Sequence, residues 1–127
     1  MKNEILTKEA PAPIGPYSQA IDTGSLVFCS GQIPLDPVTG EIVGVGDVEA
    51  QAKQVMKNIS AVLKSAGLSF NQIVKTTIFL KSMGDFPKVN EVYGGYFKNT
   101  PPARSTVEVA RLPKDVLVEV ECIALRN

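Results

Sequence analysis

Residues 47–81 read DVEAQAKQVMKNISAVLKSAGLSFNQIVKTTIFLK, and this stretch holds two different hydrophobic patterns. In its first part apolar side chains recur at i, i+3 and i+4, which predicts an amphipathic helix with Asp47 as its N-cap and Gly67 as its stop. The apolar positions of this helix are Val48, Ala52, Val55, Met56, Ile59, Val62, Leu63 and Ala66. The second part, Ile73–Lys81, is rich in β-branched residues and predicts a strand.

Segments on both sides of this helix–strand unit predict further elements. Before it, Glu4–Thr7 and Ser25–Ser30 have the composition of strands and are separated by a proline-rich loop. After it, a second helix is expected to begin at Asp85, with Pro87 tolerated in its first turn, and two more strands end the chain. This order predicts an α+β sandwich with two helices on one face of one sheet.

The last two predicted strands, at about 104–109 and 117–125, favour a hairpin around residues 112–115. In such a hairpin Glu119 lies near Glu108, and Arg104 lies roughly 13 Å further along the strand. One small ligand does not easily reach both Arg104 and Glu119 of the same chain. We therefore expect a neighbouring subunit to contribute to any site that uses both.

Two strand segments are apolar at consecutive positions, Leu26-Val27-Phe28 and Ile78-Phe79-Leu80. Strands of this kind need cover on both faces of the sheet. Because two helices cover only one face, the second face is expected to be buried against other subunits. The sequence thus predicts a homo-oligomer.

The bulk composition excludes several classes of protein. The 127 residues are expected to form one domain, 1–127, because a second core would have too little apolar surface. Thirteen basic residues balance thirteen acidic ones, so no overall charge attracts nucleic acid or an anionic membrane. No apolar run approaches the roughly 20 residues needed to cross a bilayer. The N-terminal residues lack the apolar core of a signal peptide, and the spacing of the two cysteines matches neither a disulfide framework nor a zinc site. Both observations favour a cytoplasmic location.

The sequence contains no histidine, which excludes Ser-His-Asp and Cys-His catalysis and histidine-based metal sites. The segment Gly44-Val45-Gly46 does not complete a dinucleotide-binding motif, and no Walker lysine follows a glycine loop. We expect neither a metal nor a cofactor. Any chemistry must use arginine, carboxylates, hydroxyls, backbone groups and water.

Arg104 is the leading candidate for a binding residue. It follows a double proline and begins a β-branched segment, so its guanidinium is expected to be rigidly presented. Bidentate pairing of a guanidinium with a carboxylate is strong and directional, which suits a small carboxylate ligand. An ion pair with Glu108, on the same face of the strand, explains the spacing equally well.

Four further positions combine chemistry with an unusual setting. Glu119 and Glu121 share one strand face with apolar neighbours, although a polar rim accounts for either glutamate alone. Tyr17 follows a glycine–proline pair and is held by a stiff loop, where it either lines a site or packs the loop. Ser30 ends a strand before Gly31, where backbone amides can turn toward a ligand.

Four segments together resemble the Rid family, also called the YjgF family. They are APIGPYSQA at 12–20, SGQIP at 30–34, the stretch from Pro102-Ala103-Arg104-Ser105 to Arg111-Leu112-Pro113, and VEVE at 118–121. The resemblance runs nearly end to end. It implies a chorismate-mutase-like α+β fold with one mixed sheet, a homotrimer, and ligand clefts between subunits.

The resemblance also implies an activity, the hydrolysis of 2-imino acids to 2-keto acids and ammonia. The imines, 2-iminopropanoate and 2-iminobutanoate, arise from the enamines 2-aminoacrylate and 2-aminocrotonate. Carried over by motif position, Arg104 binds the substrate carboxylate and Glu119 positions or activates water.

The remaining site residues also follow from the resemblance. Tyr17 and Ser30, with Gly31 beside them, are expected to line the cleft, and Asn90 falls where the family often places an asparagine near the site. Thr106 is a departure, because many relatives have cysteine at that position. Its hydroxyl can still donate a hydrogen bond to a ligand.

Two other functions remain open at this stage. The same cleft could hold a keto acid or another small carboxylate as a signal, without turnover. A ribonuclease or translation-inhibitor activity is also attributed to some relatives, but the neutral charge and the missing histidine count against nucleic acid as a partner.

Overall fold

A computed structural model describes residues 2–126, so the two ends of the expected domain, Met1 and Asn127, lie outside the described residues. The strands are β1 (Asn3–Ile5), β2 (Ala20–Asp22), β3 (Leu26–Gln32), β4 (Ile73–Leu80), β5 (Ala103–Glu108) and β6 (Val118–Leu125). The helices are α1 (Val48–Ser65) and α2 (Phe86–Gly94), with short 3-10 turns before β4, α2 and β6.

The six strands form one mixed sheet in the order β1-β2-β3-β6-β4-β5. Neighbouring strands are antiparallel except β4 and β5, which are parallel. Helices α1 and α2 pack against each other, and the core lies between them and one face of the sheet. The predicted α+β fold with two helices on one face is confirmed.

Helix α1 forms as its sequence pattern predicts. The side chain of Asp47 accepts a hydrogen bond from the backbone N–H of Ala50 at 3.1 Å, which caps the first turn. Beyond the last turn Gly67 adopts a φ of 77°, a conformation that glycine reaches without strain. The apolar stripe of α1 is buried, and the helix lies over the middle of the sheet.

Two side-chain amides on the buried side of α1 form hydrogen bonds with the backbone of neighbouring loops. Asn58 donates to the backbone carbonyls of Ile33 at 3.2 Å and Leu35 at 3.0 Å. Gln51 donates to the carbonyl of Gly44 at 3.0 Å and accepts from the N–H of Leu117 at 2.8 Å. These bonds fix the segment after β3 and the start of β6 relative to the helix.

The predicted hairpin between the last two strands is wrong. Strand β4 lies between β5 and β6, so Glu119 is opposite Phe79 on β4 rather than close to Glu108. The apolar strand β4 takes a central position because both of its faces favour burial, whereas the polar strand β5 lies at the edge of the sheet. The connection from β4 through α2 to a parallel β5 is the ordinary βαβ arrangement.

The sheet face away from the helices stays open in the single chain. Phe28 and Leu125 are 44% and 45% exposed on this face, and Phe79 is half-buried there. An apolar sheet face of this kind agrees with the expectation of further cover, and the assembly itself stays a prediction.

Candidate functional site

Arg104 lies on the edge strand β5 with its side chain toward helix α2. Its Nη1 donates to Oδ1 of Asn90 at 2.7 Å. Its guanidinium carbon lies 5.3 Å from the ring centroid of Phe86 and 5.1 Å from that of Tyr93. These contacts hold an exposed cation in one orientation through hydrogen bonding and cation–π attraction.

The spacing of helix α2 explains this arrangement. Phe86, Asn90 and Tyr93 stand at i, i+4 and i+7, so all three lie on the same side of the helix. The hydroxyl of Tyr93 is 2.6 Å from the hydroxyl of Thr76 inside the core, which fixes the ring under the guanidinium. Aromatic residues at helical spacing, such as Phe86 and Tyr93, are typical of core positions, and nothing in the sequence alone indicates their contact with Arg104.

The alternative pairing of Arg104 with Glu108 does not occur in the structure. The carboxylate of Glu108 accepts a hydrogen bond from the backbone N–H of Met83 at 2.7 Å, in the turn that precedes α2. Among residues 2–126 no carboxylate forms an ion pair with Arg104. The guanidinium therefore keeps N–H donors for a ligand beyond the one that it gives to Asn90.

Thr106 lies two residues from Arg104 on the same face of β5. Its side-chain oxygen is buried and has no hydrogen-bond partner among the described residues. A buried hydroxyl without a partner is costly, so this atom favours a ligand or water that reaches it. Arg104, Asn90 and Thr106 thus form one group, which we call the arginine group.

A cleft of about 410 Å³ opens on the other face of the sheet. It contains four of the residues predicted to form the site, Tyr17, Ser30, Gly31 and Glu119, which we call the glutamate group. The rest of the lining is Ile14, Ile33, Pro113 and Glu121. The lining of the cleft therefore combines apolar side chains with two carboxylates.

Glu119 is half-buried in this cleft and packs against Gly31. A Cβ at position 31 would overlap the Glu119 carboxylate, so glycine is needed there for the close approach. Burial raises the pKa of the Glu119 carboxyl above its ordinary value, and the nearby Glu121 carboxylate raises it further. A carboxyl with a raised pKa in a cleft is suited to accept and return a proton.

The loop that carries Tyr17 is anchored by a buried glutamine. The Gln19 amide accepts from the N–H of Thr7 at 2.7 Å and donates to the carbonyl of Pro11 at 2.9 Å. Ser30, at the end of β3, donates its hydroxyl hydrogen to the carbonyl of Ser18 at 2.6 Å. The hydroxyl of Ser30 is thus committed to the loop and offers a ligand only its oxygen.

The arginine group and the glutamate group of one chain do not meet. Arg104 is level with Thr76 and Cys122 in the sheet register, three positions from Glu119 and two strands away. That separation is about 14 Å between Cα atoms, and the two side chains lie on opposite faces of the sheet. A ligand that contacts both groups must therefore lie between two chains.

Other kinds of site find no support in the described chain. Between residues 2 and 126 no cluster of three or more acidic, cysteine or histidine side chains is placed to bind a metal ion. Neither helix there is both long and apolar enough to pass through a bilayer.

Comparisons with known proteins give matches over nearly the whole chain, under several different names. The family model described as endoribonuclease L-PSP matches residues 7–126. A RutC family protein of Pyrococcus horikoshii is 57% identical over 127 residues, which is 100% of each chain. The 2-iminobutanoate/2-iminopropanoate deaminase of Salmonella typhimurium is 53% identical over 130 residues, again 100% of each. The solved structure of Escherichia coli TdcF with bound serine superposes with a TM-score of 0.94 at 49% identity, covering 98% of this chain and 99% of that one.

Proposed function

Because this chain belongs to the Rid family, also called the YjgF family, we propose that it hydrolyses 2-imino acids to 2-keto acids and ammonia. The substrates we propose are 2-iminopropanoate and 2-iminobutanoate, the imines named for relatives that share about half of its residues. The observation that carries the proposal is the guanidinium of Arg104, which is held by Asn90 and two rings and forms no ion pair with any described carboxylate.

In the proposed reaction Arg104 binds the substrate carboxylate and so fixes the imine carbon. Glu119 holds a water molecule against that carbon and accepts its proton as the oxygen adds. The same carboxyl then gives this proton to nitrogen, which completes the carbinolamine. It next accepts the proton of the carbinolamine hydroxyl and passes it to the amino nitrogen as the C–N bond breaks, so ammonia leaves and the carbonyl of the 2-keto acid forms. The orphan hydroxyl of Thr106 is available to bond the substrate or this water.

This reaction needs both groups of side chains at one substrate, and they lie on opposite faces of the same sheet. We propose that the protein is a homotrimer in which the arginine group of one subunit faces the glutamate group of the next. The open, apolar sheet face supports an assembly, and the position of Arg104 on the edge strand makes it accessible to a neighbour.

The test uses 2-aminoacrylate, generated in situ by a serine dehydratase, with ammonia or pyruvate release as the readout. The wild type is expected to release ammonia faster than the spontaneous rate, and Arg104→Ala is expected to abolish that acceleration. Arg104 is exposed, so the substitution leaves the core intact, and circular dichroism checks the fold. Wild-type release at the spontaneous rate would reject the proposed activity.

One observation favours a second candidate, the binding of a small carboxylate without turnover. A solved relative carries bound serine, an amino acid. The two functions separate in one experiment, because a binding protein gives heat with a keto acid in calorimetry but leaves the rate of ammonia release unchanged.

A further inference from the structure

Glu121 is a carboxylate of the open-face cleft that the proposed reaction does not use. It is exposed, it lies two residues from Glu119 on the same face of β6, and it lines the same cleft. It also lines an adjoining groove of about 400 Å³, which shares Tyr17 and Ser30 with the cleft and contains Phe28. Glu121 therefore lines both the cleft and the adjoining groove.

Within a single chain, the described residues place no cation against the carboxylate at this position. Among residues 2–126 neither Glu119 nor Glu121 forms an ion pair, and the cleft lining contains no lysine or arginine. The neighbour of Glu121 on β4 is Thr77, and the lysine two residues before it, Lys75, donates to Ser105 at 3.1 Å. Since the whole chain carries no net charge, the negative charge of the cleft is a local feature.

The spacing relates this charge to the substrate side chain. Residues two apart on a strand are about 7 Å apart, so a water held by Glu119 places the imine carbon within one side-chain length of Glu121. In an imine derived from glutamate, the side-chain carboxylate is three bonds from the imine carbon, so it reaches the neighbourhood of Glu121. A third carboxylate is repelled there, whereas an amide or a guanidinium is not.

We infer that Glu121 is a specificity-determining residue, whose carboxylate disfavours 2-imino acids with acidic side chains and favours those with neutral or basic ones. This inference rests on the proposed function. It assigns the selection to a residue that touches the side chain of the substrate rather than the reacting atoms.

The test compares imines made in situ by amino-acid oxidases from L-glutamate, L-glutamine and L-arginine, with hydrolysis measured by competition with semicarbazide. Glutamate and glutamine give imines of nearly the same shape, so their ratio of kcat/KM reports charge. Glu121→Gln is expected to raise the glutamate-to-glutamine ratio by about threefold to tenfold and to lower the arginine-to-glutamine ratio. Glu121→Lys is expected to move both ratios further in the same directions.

The matched control is Glu49→Gln, the same change of charge on an exposed residue of α1, behind the other face of the sheet. Ratios that stay constant in both Glu121 variants, or that move equally in the control, overturn the inference while the activity stands. If the wild type accelerates the hydrolysis of no imine, the proposed function fails and the inference falls with it. Because each ratio is taken within one variant, a general loss of activity does not imitate the expected result.

Discussion

The two central residues of the account have opposite surroundings. Arg104 is exposed and is held by contacts that satisfy only part of its hydrogen-bonding capacity. Glu119 is half-buried, has no cation beside it, and lies close to another carboxylate. Each arrangement lowers the stability of the folded chain to some extent. In return, the Arg104 side chain is available to bind a ligand and the Glu119 side chain to transfer a proton.

The burial of Glu119 predicts a measurable effect of pH on the free energy of unfolding. The pKa of its carboxyl is raised in the folded protein, so ionisation of this carboxyl disfavours folding. The carboxyl does not lower the free energy of unfolding below the unfolded pKa of 4.5, and it lowers this free energy increasingly as the pH rises from there through the folded pKa. Glu119→Gln is therefore expected to increase the free energy of unfolding at neutral pH and to lose that advantage below pH 4.5. At the same time kcat is expected to fall by about a hundredfold.

Urea denaturation at neutral pH and at a pH below 4.5 measures the stability effect. Glu49→Gln, an exposed carboxylate in the first turn of α1, is the control and is expected to gain no stability at neutral pH. A Glu119→Gln variant that is less stable than wild type at neutral pH would contradict the burial of an ionisable group at this position.

Among the elements, both helices and five of the six strands follow from the sequence, whereas the short strand β2 and the order of the strands do not. Periodicity and the Asp47 cap predict α1 because these signals are local. The hairpin prediction failed because short spacing favours pairing of consecutive strands, and nothing local shows that β4 competes for β6. The strand–helix–strand order of β4, α2 and β5 was the available signal, since it calls for a parallel pair beside the crossover helix.

The same limit applies to the candidate site. Arg104 could be chosen from the residues themselves because an arginine after two prolines is unusual, and Glu119 could be chosen only through the family resemblance, since a polar rim also explains a glutamate among apolar residues. The two rings under the guanidinium could not, because aromatic residues at helical spacing usually serve the core. Contacts across elements depend on register, and register follows from the whole sheet rather than from any one segment.

At the junction of β3 and β6, the close approach of Gly31 and Glu119 predicts a coupled effect. Gly31→Ala is expected to displace the Glu119 side chain and to reduce kcat/KM by about tenfold or more, with little change in stability because the displaced group is a flexible side chain. In a Glu119→Ala background the same substitution is expected to have almost no further effect. Kinetics of the two single variants and the double variant measure this, and additive losses would contradict it.

For the whole molecule, the distribution of apolar residues and that of the candidate site residues both favour assembly of several chains. The helices cover one face of the sheet, while the other face exposes Phe28 and Leu125 and carries the glutamate group. The arginine group lies at the edge of the sheet, on the other side. Assembly through the open face would bury the apolar side chains and bring the two groups together, so folding and catalysis would depend on the same contact.

The most direct test of this account is complementation between two inactive variants, Arg104→Ala and Glu119→Ala. Each lacks one half of every proposed site, so each trimer alone is expected to keep at most about one hundredth of wild-type activity on 2-aminoacrylate. After unfolding and refolding as an equal mixture, one site in about four combines an intact Arg104 with an intact Glu119, and about a quarter of wild-type activity is expected. Native mass spectrometry verifies that mixed trimers have formed. Mixed trimers without activity would contradict a site shared between subunits.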